Sequence, residues 1–381
     1  EVKEEEPFTC SGSSLTTYDE QGEGTSASPH IICNETQMIH LQENDGGWDK
    51  HFRVEEDIDL TTYSSSNRKI GTSSTRFTGV FDGDNHIISN FSFSDSAENY
   101  VGLFGSTENA TIQNMILEDF QITAKYYYGT LIGSAYSTTV TSITVRANIL
   151  GDIELSGGSQ GGGLIGYAYE SNLSNIFVNN IVIEGTTMLG GIIGNAEGDD
   201  TSARNTSSDP ALESYTGTVI ENSFANVEIT GLKTLGGITG YLRADSQIRS
   251  SYAQFTITGS SSSSNYEYLM GGISGFMYNR SLVINSYTSG TMTATTNNSG
   301  AYFGGITSKA NDVSDIQNSY ANVTMTLGGS ISSSQTGGIV GSMGAGVIDD
   351  CYFNTYLCGM CSDVEGGTGK SDSELQTQST F

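Results

Sequence analysis

The chain has 381 residues, of which only 15% are charged, and a formal net charge of −28. So acidic a surface excludes a nucleic-acid phosphate backbone or an anionic membrane as partner, and leaves divalent cations and neutral glycans open. No run of about eighteen apolar residues occurs, so nothing reads as membrane-spanning; no signal peptide is present, and Glu1 reads as a mature boundary.

Residues 1–28 are polar, acidic and poor in aromatics, which predicts a flexible leader. Cys10 suggests that this leader is pinned to the body through Cys33. Residues 29–76 read as an N-terminal cap. The four histidines, His30, His40, His51 and His86, all precede the main run of coils, so a His-based triad along the body is not available. Asp82-Gly-Asp84-Asn85 has some of the look of a calcium loop but lacks the Glu that closes the EF-hand pattern. A tight turn is the simpler reading; no cofactor is called for, and Ca2+ is the one ion kept in view.

From residue 101 the chain repeats. Eight glycine boxes, VGLFG (101–105), GTLIG (129–133), GGLIG (162–166), GGIIG (190–194), GGITG (236–240), GGISG (271–275), GGITS (304–308) and GGIVG (337–341), follow one another at intervals of 28 to 46 residues. A unit this short cannot bury its own apolar face and must stack on a neighbour, which predicts a solenoid over 77–350. After each box comes a second apolar strand, starting at Ile112, Val140, Leu173, Ile220, Ile248, Val283, Ile316 and Ile348. Only the fourth is delayed, by an acidic Ser/Thr-rich insertion at 195–217. Two residues into these strands stand Asn114, Ser142, Asn175, Asn222, Ser250, Asn285, Asn318 and Asp350. Four residues in stand Ile116, Thr144, Phe177, Phe224, Tyr252, Tyr287, Tyr320 and Tyr352. A third strand, such as VEITG (227–231) or FTITG (255–259), follows in most turns.

Period-two alternation marks these segments as strands. Three short strands per turn over eight to nine turns describe an all-β, right-handed parallel β-helix with capped ends, the hand following from the usual crossover. Leu103, Leu131, Leu164, Ile192, Ile238, Ile273, Ile306 and Ile339 are expected to form one inward ladder and the strand starts another. The glycines are expected at corners, through positive φ and close backbone approach, and the Asn positions at corners that need the left-handed region. Only Pro7, Pro29 and Pro210 occur, none in a predicted coil strand.

The boxes, each followed by an I-x-N-[SC]-[YF] strand, resemble the GLUG-type repeat of bacterial and archaeal surface proteins. The segment 77–91 resembles the opening coil of those proteins, 30–60 their N-terminal capping segment and 366–381 their closing segment. The resemblance implies the architecture and a secreted or surface location. It implies no catalytic motif, since the repeat occurs in proteins of several kinds.

All five cysteines lie in the end regions, where a solenoid frays and a staple is most useful. Cys10–Cys33 and one bridge among Cys351, Cys358 and Cys361 are expected, with one thiol over. Cys358-Gly-Met-Cys361 lacks the partners of a zinc site and reads as a structural disulfide, which implies an oxidising compartment.

For chemistry, Glu154 and Glu228 share one outward position on the third strand, with Glu184 on the other, on separate turns. No paired carboxylate site follows. Arg243, Arg249 and Glu228 could form a lyase-like cluster. For recognition, segments 125–128, 259–269, 295–303 and 328–336 share one place in the repeat and should project from one edge. They carry Tyr126, Tyr127, Tyr128, Tyr266, Tyr268 and Tyr302, whose rings and hydroxyls suit glycan or protein contact. A T-x-T array (Thr256/Thr258, Thr291/Thr293, Thr324/Thr326) has the geometry of an ice-binding face. The reading that results is an extracellular adhesive or structural module. It would bind a glycan or a cell-surface protein through Tyr126, Tyr127, Tyr266, Tyr268 and Tyr302, or self-associate into a fibre or layer. A polysaccharide lyase or hydrolase is the alternative and ice binding the lesser one; 351–381 reads as a C-terminal cap.

Overall fold

The structure is a computed structural model and describes residues 10, 15–62, 68–199, 216–261, 267–297, 300–331, 335–359, 361 and 367–375. It is a parallel β-helix. From Asn99 onward each coil gives a strand to each of two eight-stranded sheets, here sheets B and C, and passes through a 22-stranded sheet A. In one coil these are Tyr126–Tyr128 in sheet C, Ile132–Tyr136 in sheet B, and Thr139–Arg146 and Ile153–Ser156 in sheet A. The eight strand starts from Ile112 to Ile348 fall in one continuous parallel register. The box ladder from Leu103 to Ile339 is buried throughout. Each coil thus buries its apolar residues against its neighbours, because none encloses a core alone.

Stacking begins earlier than Phe77. The strands His30–Ile32 and His51–Val54 pair with each other and then with Val80–Asp82 in sheet A, inside the segment read as a cap. The helix Glu35–Glu43 is capped by Asn34, whose side chain accepts from the Gln37 N–H at 3.0 Å, and it buries Met38 and Leu41. The described part of the leader lies on this end. The Tyr18 ring sits 5.2 Å from His30, 4.8 Å from His40 and 5.4 Å from Phe52, and Cys10 is bonded to Cys33. Residues 195–197 of the expected insertion continue a sheet B strand. Residues 200–215 lie outside the described part.

The corner residues behave as their chemistry requires. Asn114, Ser142, Asn175, Asn222, Ser250, Asn285, Asn318 and Asp350 all have φ between 46° and 56°, a region open to Asn and Asp at little cost. One left-handed residue also resets the alternation. The inward positions become the third and fifth after the strand start, such as Met115 and Leu117. The fourth, from Ile116 to Tyr352, turns outward, where strict alternation would have put it on the face of the strand start.

The box glycines do one of the two jobs expected of them. Among the described residues none of them has a positive φ. What they provide is close approach: a Cβ on Gly191, Gly237, Gly272 or Gly305 would lie 2.1, 2.2, 2.1 and 2.0 Å from the carbonyl oxygen of the next box.

A second polar ladder explains the odd cysteine. Ser223, Ser251, Ser286 and Ser319 each accept an N–H from the preceding coil at 3.2–3.3 Å. Each donates to the carbonyl two residues back at 2.7–2.9 Å. Cys351 occupies the next rung, its Sγ 3.2 Å from the Asp349 carbonyl. It is therefore the free thiol, and Cys358 pairs with Cys361. Burial pushes the Cys351 thiol up to about 12 from 9.0. The fold thus favours the neutral thiol, a contribution complete below pH 9.0 and lost as pH rises towards 12. Cys351→Ser, which cannot ionise and matches the ladder, is expected to raise the pH midpoint of alkaline unfolding. An unchanged midpoint in a circular dichroism titration would contradict this burial.

Candidate functional site

The outward face of sheet A carries rows that run along the helix axis. Phe177, Phe224, Tyr252, Tyr287, Tyr320 and Tyr352 stand in register in one row. Successive ring centroids from Phe177 to Tyr287 are 5.0, 5.3 and 4.0 Å apart, yet Phe177 and Tyr287 are 42% and 49% exposed. Tyr252 and Tyr287 are nearly parallel, at 15°. Their faces meet each other, so the ladder ties coils together and turns ring edges to solvent.

Two residues along from each ring runs a polar row: Asn179, Asn226, Gln254, Ser289, Asn322 and Asn354. Near its two ends the amides satisfy one another. Asn226 Nδ2 donates to Asn179 Oδ1 at 2.9 Å and to Asn180 Oδ1 at 3.1 Å, and Asn354 Nδ2 to Asn322 Oδ1 at 3.0 Å. Gln254, in the middle, is exposed and has no side-chain hydrogen bond among the described residues. In the next row the Glu228 carboxylate is likewise without an ion pair or hydrogen bond there, and Thr256 and Thr291 follow it in register. These groups line a groove of about 300 Å³, floored by Val227, Phe255 and Gly290. Gly290 is required, because a Cβ would lie 2.2 Å from the Phe255 carbonyl oxygen and 2.9 Å from its ring.

The groove has a wall at its N-terminal end. Between Arg146 and Ile153 the chain leaves the sheet, and the excursion exposes Ile149 by 70% and Leu150 by 50%. It is fixed at both ends: Asn180 Nδ2 donates to the Ala147 carbonyl at 3.2 Å and Gln121 Nε2 to the Asp152 carbonyl at 2.9 Å. Asn180 reaches it from a bulge, with φ 60° and a register shift between Asn179 and Ile181. Leu150 lines the groove.

The tyrosines expected to bind are dispersed. Tyr126 is 40% exposed. Tyr127 stacks on Tyr100 at 4.8 Å and meets Tyr167 edge-on at 5.9 Å. Tyr302 lies under the Lys309 ammonium, 4.9 Å away. Tyr266 lies outside the described residues. Tyr268 is a correction: it is 1% exposed and packs on Phe303. It points inward because Gly259 leaves room there, where a Cβ would overlap its hydroxyl. Tyr128 likewise is fully buried, over Gly161 and Gly185.

Tyr127 and Tyr302 instead border an aromatic and charged belt on sheets B and C. Arg76 lies 3.9 Å over Tyr136, the Tyr167 hydroxyl donates to Glu197 at 3.0 Å, and Arg243 pairs with Glu197 at 2.5 Å. Tyr241 stacks on Phe276 at 5.0 Å, and burial pushes its hydroxyl up to about 12. Arg76, Arg243 and Lys309 each have a carboxylate partner, in Glu108, Glu197 and Glu267. The belt's charges pair with one another, while Arg76 Nε, Arg243 Nε and the neighbouring Asn195 Oδ1 are buried without a hydrogen-bond partner among the described residues.

The lyase-like cluster does not assemble. Arg243 is on sheet B with Glu197, whereas Arg249 is on sheet A, in register with Glu221 and bonded through Nε to Gln247. Glu154 and Glu228 do share a row, with Val182 between them. The Asp82 carboxylate accepts from Asp84 N at 2.9 Å, Gln113 at 2.7 Å and Asn114 at 3.1 Å, as in a tight turn. Among the described residues no group of three His, Cys, Asp or Glu is placed to hold a metal ion. No helix there is long and apolar enough to cross a membrane.

No family model matches the chain. A segment of 123 residues is 33% identical to a protein of Evansella cellulosilytica described as a Gly-rich membrane protein, and covers 30% of this chain and 14% of that one. Another of 118 residues is 32% identical to halomucin of Haloquadratum walsbyi, covering 30% of this chain and 1% of halomucin. The chain thus matches only a small part of the length of these curated relatives. Among solved structures, one from Bacteroides ovatus described as an immunoglobulin A1 protease aligns over 93% of this chain and 88% of its own, at 18% identity and a TM-score of 0.43. An IgA1 protease aligns over 89% of this chain and 23% of its own, at 13% identity and a TM-score of 0.46.

Proposed function

We propose that the chain is a secreted or surface-presented β-helix, of the GLUG-repeat type, that acts as an adhesive module by holding a neutral glycan in the sheet A groove. The observation that carries this reading is the run of unsatisfied polar groups, Gln254, Glu228, Thr256 and Thr291, beside an aromatic ladder on a rigid stack. A sugar offers hydroxyls that both donate and accept. An amide answers both, and a carboxylate accepts from two at once. Glu228 and the net charge of −28 disfavour an acidic glycan. The names of the partial relatives, a membrane protein and a halomucin, support a surface or secreted setting.

The test is affinity electrophoresis and calorimetry against a panel of neutral and acidic polysaccharides. At least one neutral glycan is expected to bind, and Gln254→Ala and Glu228→Ala are each expected to weaken binding about tenfold, about 1.4 kcal/mol. Tyr268→Phe, inside the core, should bind as the native chain does. Binding confined to acidic glycans, or binding unchanged in Gln254→Ala, defeats the reading. Turnover of a glycan that disappears in Glu228→Gln would replace it with a hydrolase or lyase. Filaments or sheets in negative-stain images, without glycan binding, would replace it with self-assembly.

A further inference from the structure

The shape of the groove says how a ligand must lie in it. We propose that it receives the terminus of a glycan chain rather than its interior, an inference that rests on the glycan-binding reading above. Residues 147–152 stand across the N-terminal end, and Leu150 reaches the groove from a coil two turns before that of Glu228. This wall is anchored on both sides, by Asn180 to the Ala147 carbonyl and by Gln121 to the Asp152 carbonyl. Within it the turn is closed by Asp152, whose N–H donates to the Ile149 carbonyl at 3.1 Å and whose Oδ2 accepts from the Ile149 N–H at 3.1 Å.

At the other end the lining stops at Ser289, Gly290 and Thr291, and the next coil continues the rows in register as Asn322, Val323 and Thr324. The groove is closed at one end and open at the other. A chain entering along the rows from the C-terminal side would set its last residue against Leu150. The exposed aliphatic side chain of Leu150 at the lip of a polar groove suits the CH face of a terminal ring. The unsatisfied groups of Gln254 and Glu228 then fall within the same span to take its hydroxyls. A chain running through the groove would instead collide with the wall.

A linear neutral glucan and a linear mannan are used as probes, each before and after partial acid hydrolysis, which multiplies chain ends at constant mass. With the intact chain, the amount of protein bound per gram at saturation is expected to rise in proportion to the ends. In Leu150→Gly, which opens the wall without touching the core, that proportionality should weaken, and longer chains should gain affinity relative to shorter ones. Protein bound per gram that stays constant or falls on hydrolysis overturns end recognition while leaving glycan binding intact. Absence of binding to every neutral glycan overturns the underlying reading itself.

Discussion

Gly305→Ala is expected to destabilise the chain by about 3 kcal/mol or more. The new Cβ would lie 2.0 Å from the Gly338 carbonyl oxygen and 2.5 Å from Ala321 Cβ. The first is backbone of the next coil, so relief requires the two coils to separate. The neighbouring boxes share the constraint, since Gly191, Gly237 and Gly272 are in the same position, and a shift at one rung passes to the next. Because solenoid stability is a sum of coil and interface terms, the damage should be local before it is global. Limited proteolysis should cut near the coil of Gly305, and thermal melting should broaden or split. Gly46→Ala, with nothing within 4 Å of its Cβ, is the control and should be neutral. A Gly305→Ala protein that melts with the native chain would refute the close-approach account.

The second large effect is expected at a corner. Asn285 has φ 51° and accepts a hydrogen bond from Asn318 Nδ2 at 3.2 Å. Asn285→Val combines a β-branched side chain with the left-handed region and removes that bond, at a cost of about 2 kcal/mol. Asn285→Gly keeps the conformation accessible and should lose only the side-chain bond, well under half as much. Chemical denaturation of the two variants measures the difference. If Val and Gly prove equally damaging, backbone conformation is not what selects Asn there.

The same two residue classes show how far the sequence could be read. The corners were legible because Asn, Ser and Asp recur at one offset, and a left-handed residue is the physical reason for that choice. Of the two causes expected for the box glycines, close approach holds and positive φ does not, since sequence spacing does not distinguish a positive φ from a carbonyl 2 Å from an absent Cβ. The outward turn of Phe224 and Tyr252 follows from the corner before them, so the groove was within reach. The strings N-S-F-A-N and S-S-Y-A-Q place a ring and an amide two residues apart on one outward face. Tyr268 was misplaced because a loop tyrosine looks exposed until the glycine that makes room for it, nine residues earlier, is placed beside it. Arg243 and Arg249 are close in sequence, but the corner between them puts them on different sheets. Only the three-dimensional course of the coil separates them.

The glycine column also governs how the molecule would carry load. Hydrogen bonds between coils point along the axis, so a pull from end to end strains each interface in series. Each added coil extends the reach by about 4.8 Å, yet the force needed to part the stack is set by its weakest interface, whatever the number of coils. Length and tensile strength are therefore separate properties of this chain. A rod built this way could grow longer by duplicating coils without becoming any easier to break, provided that no new junction is weaker than those already present.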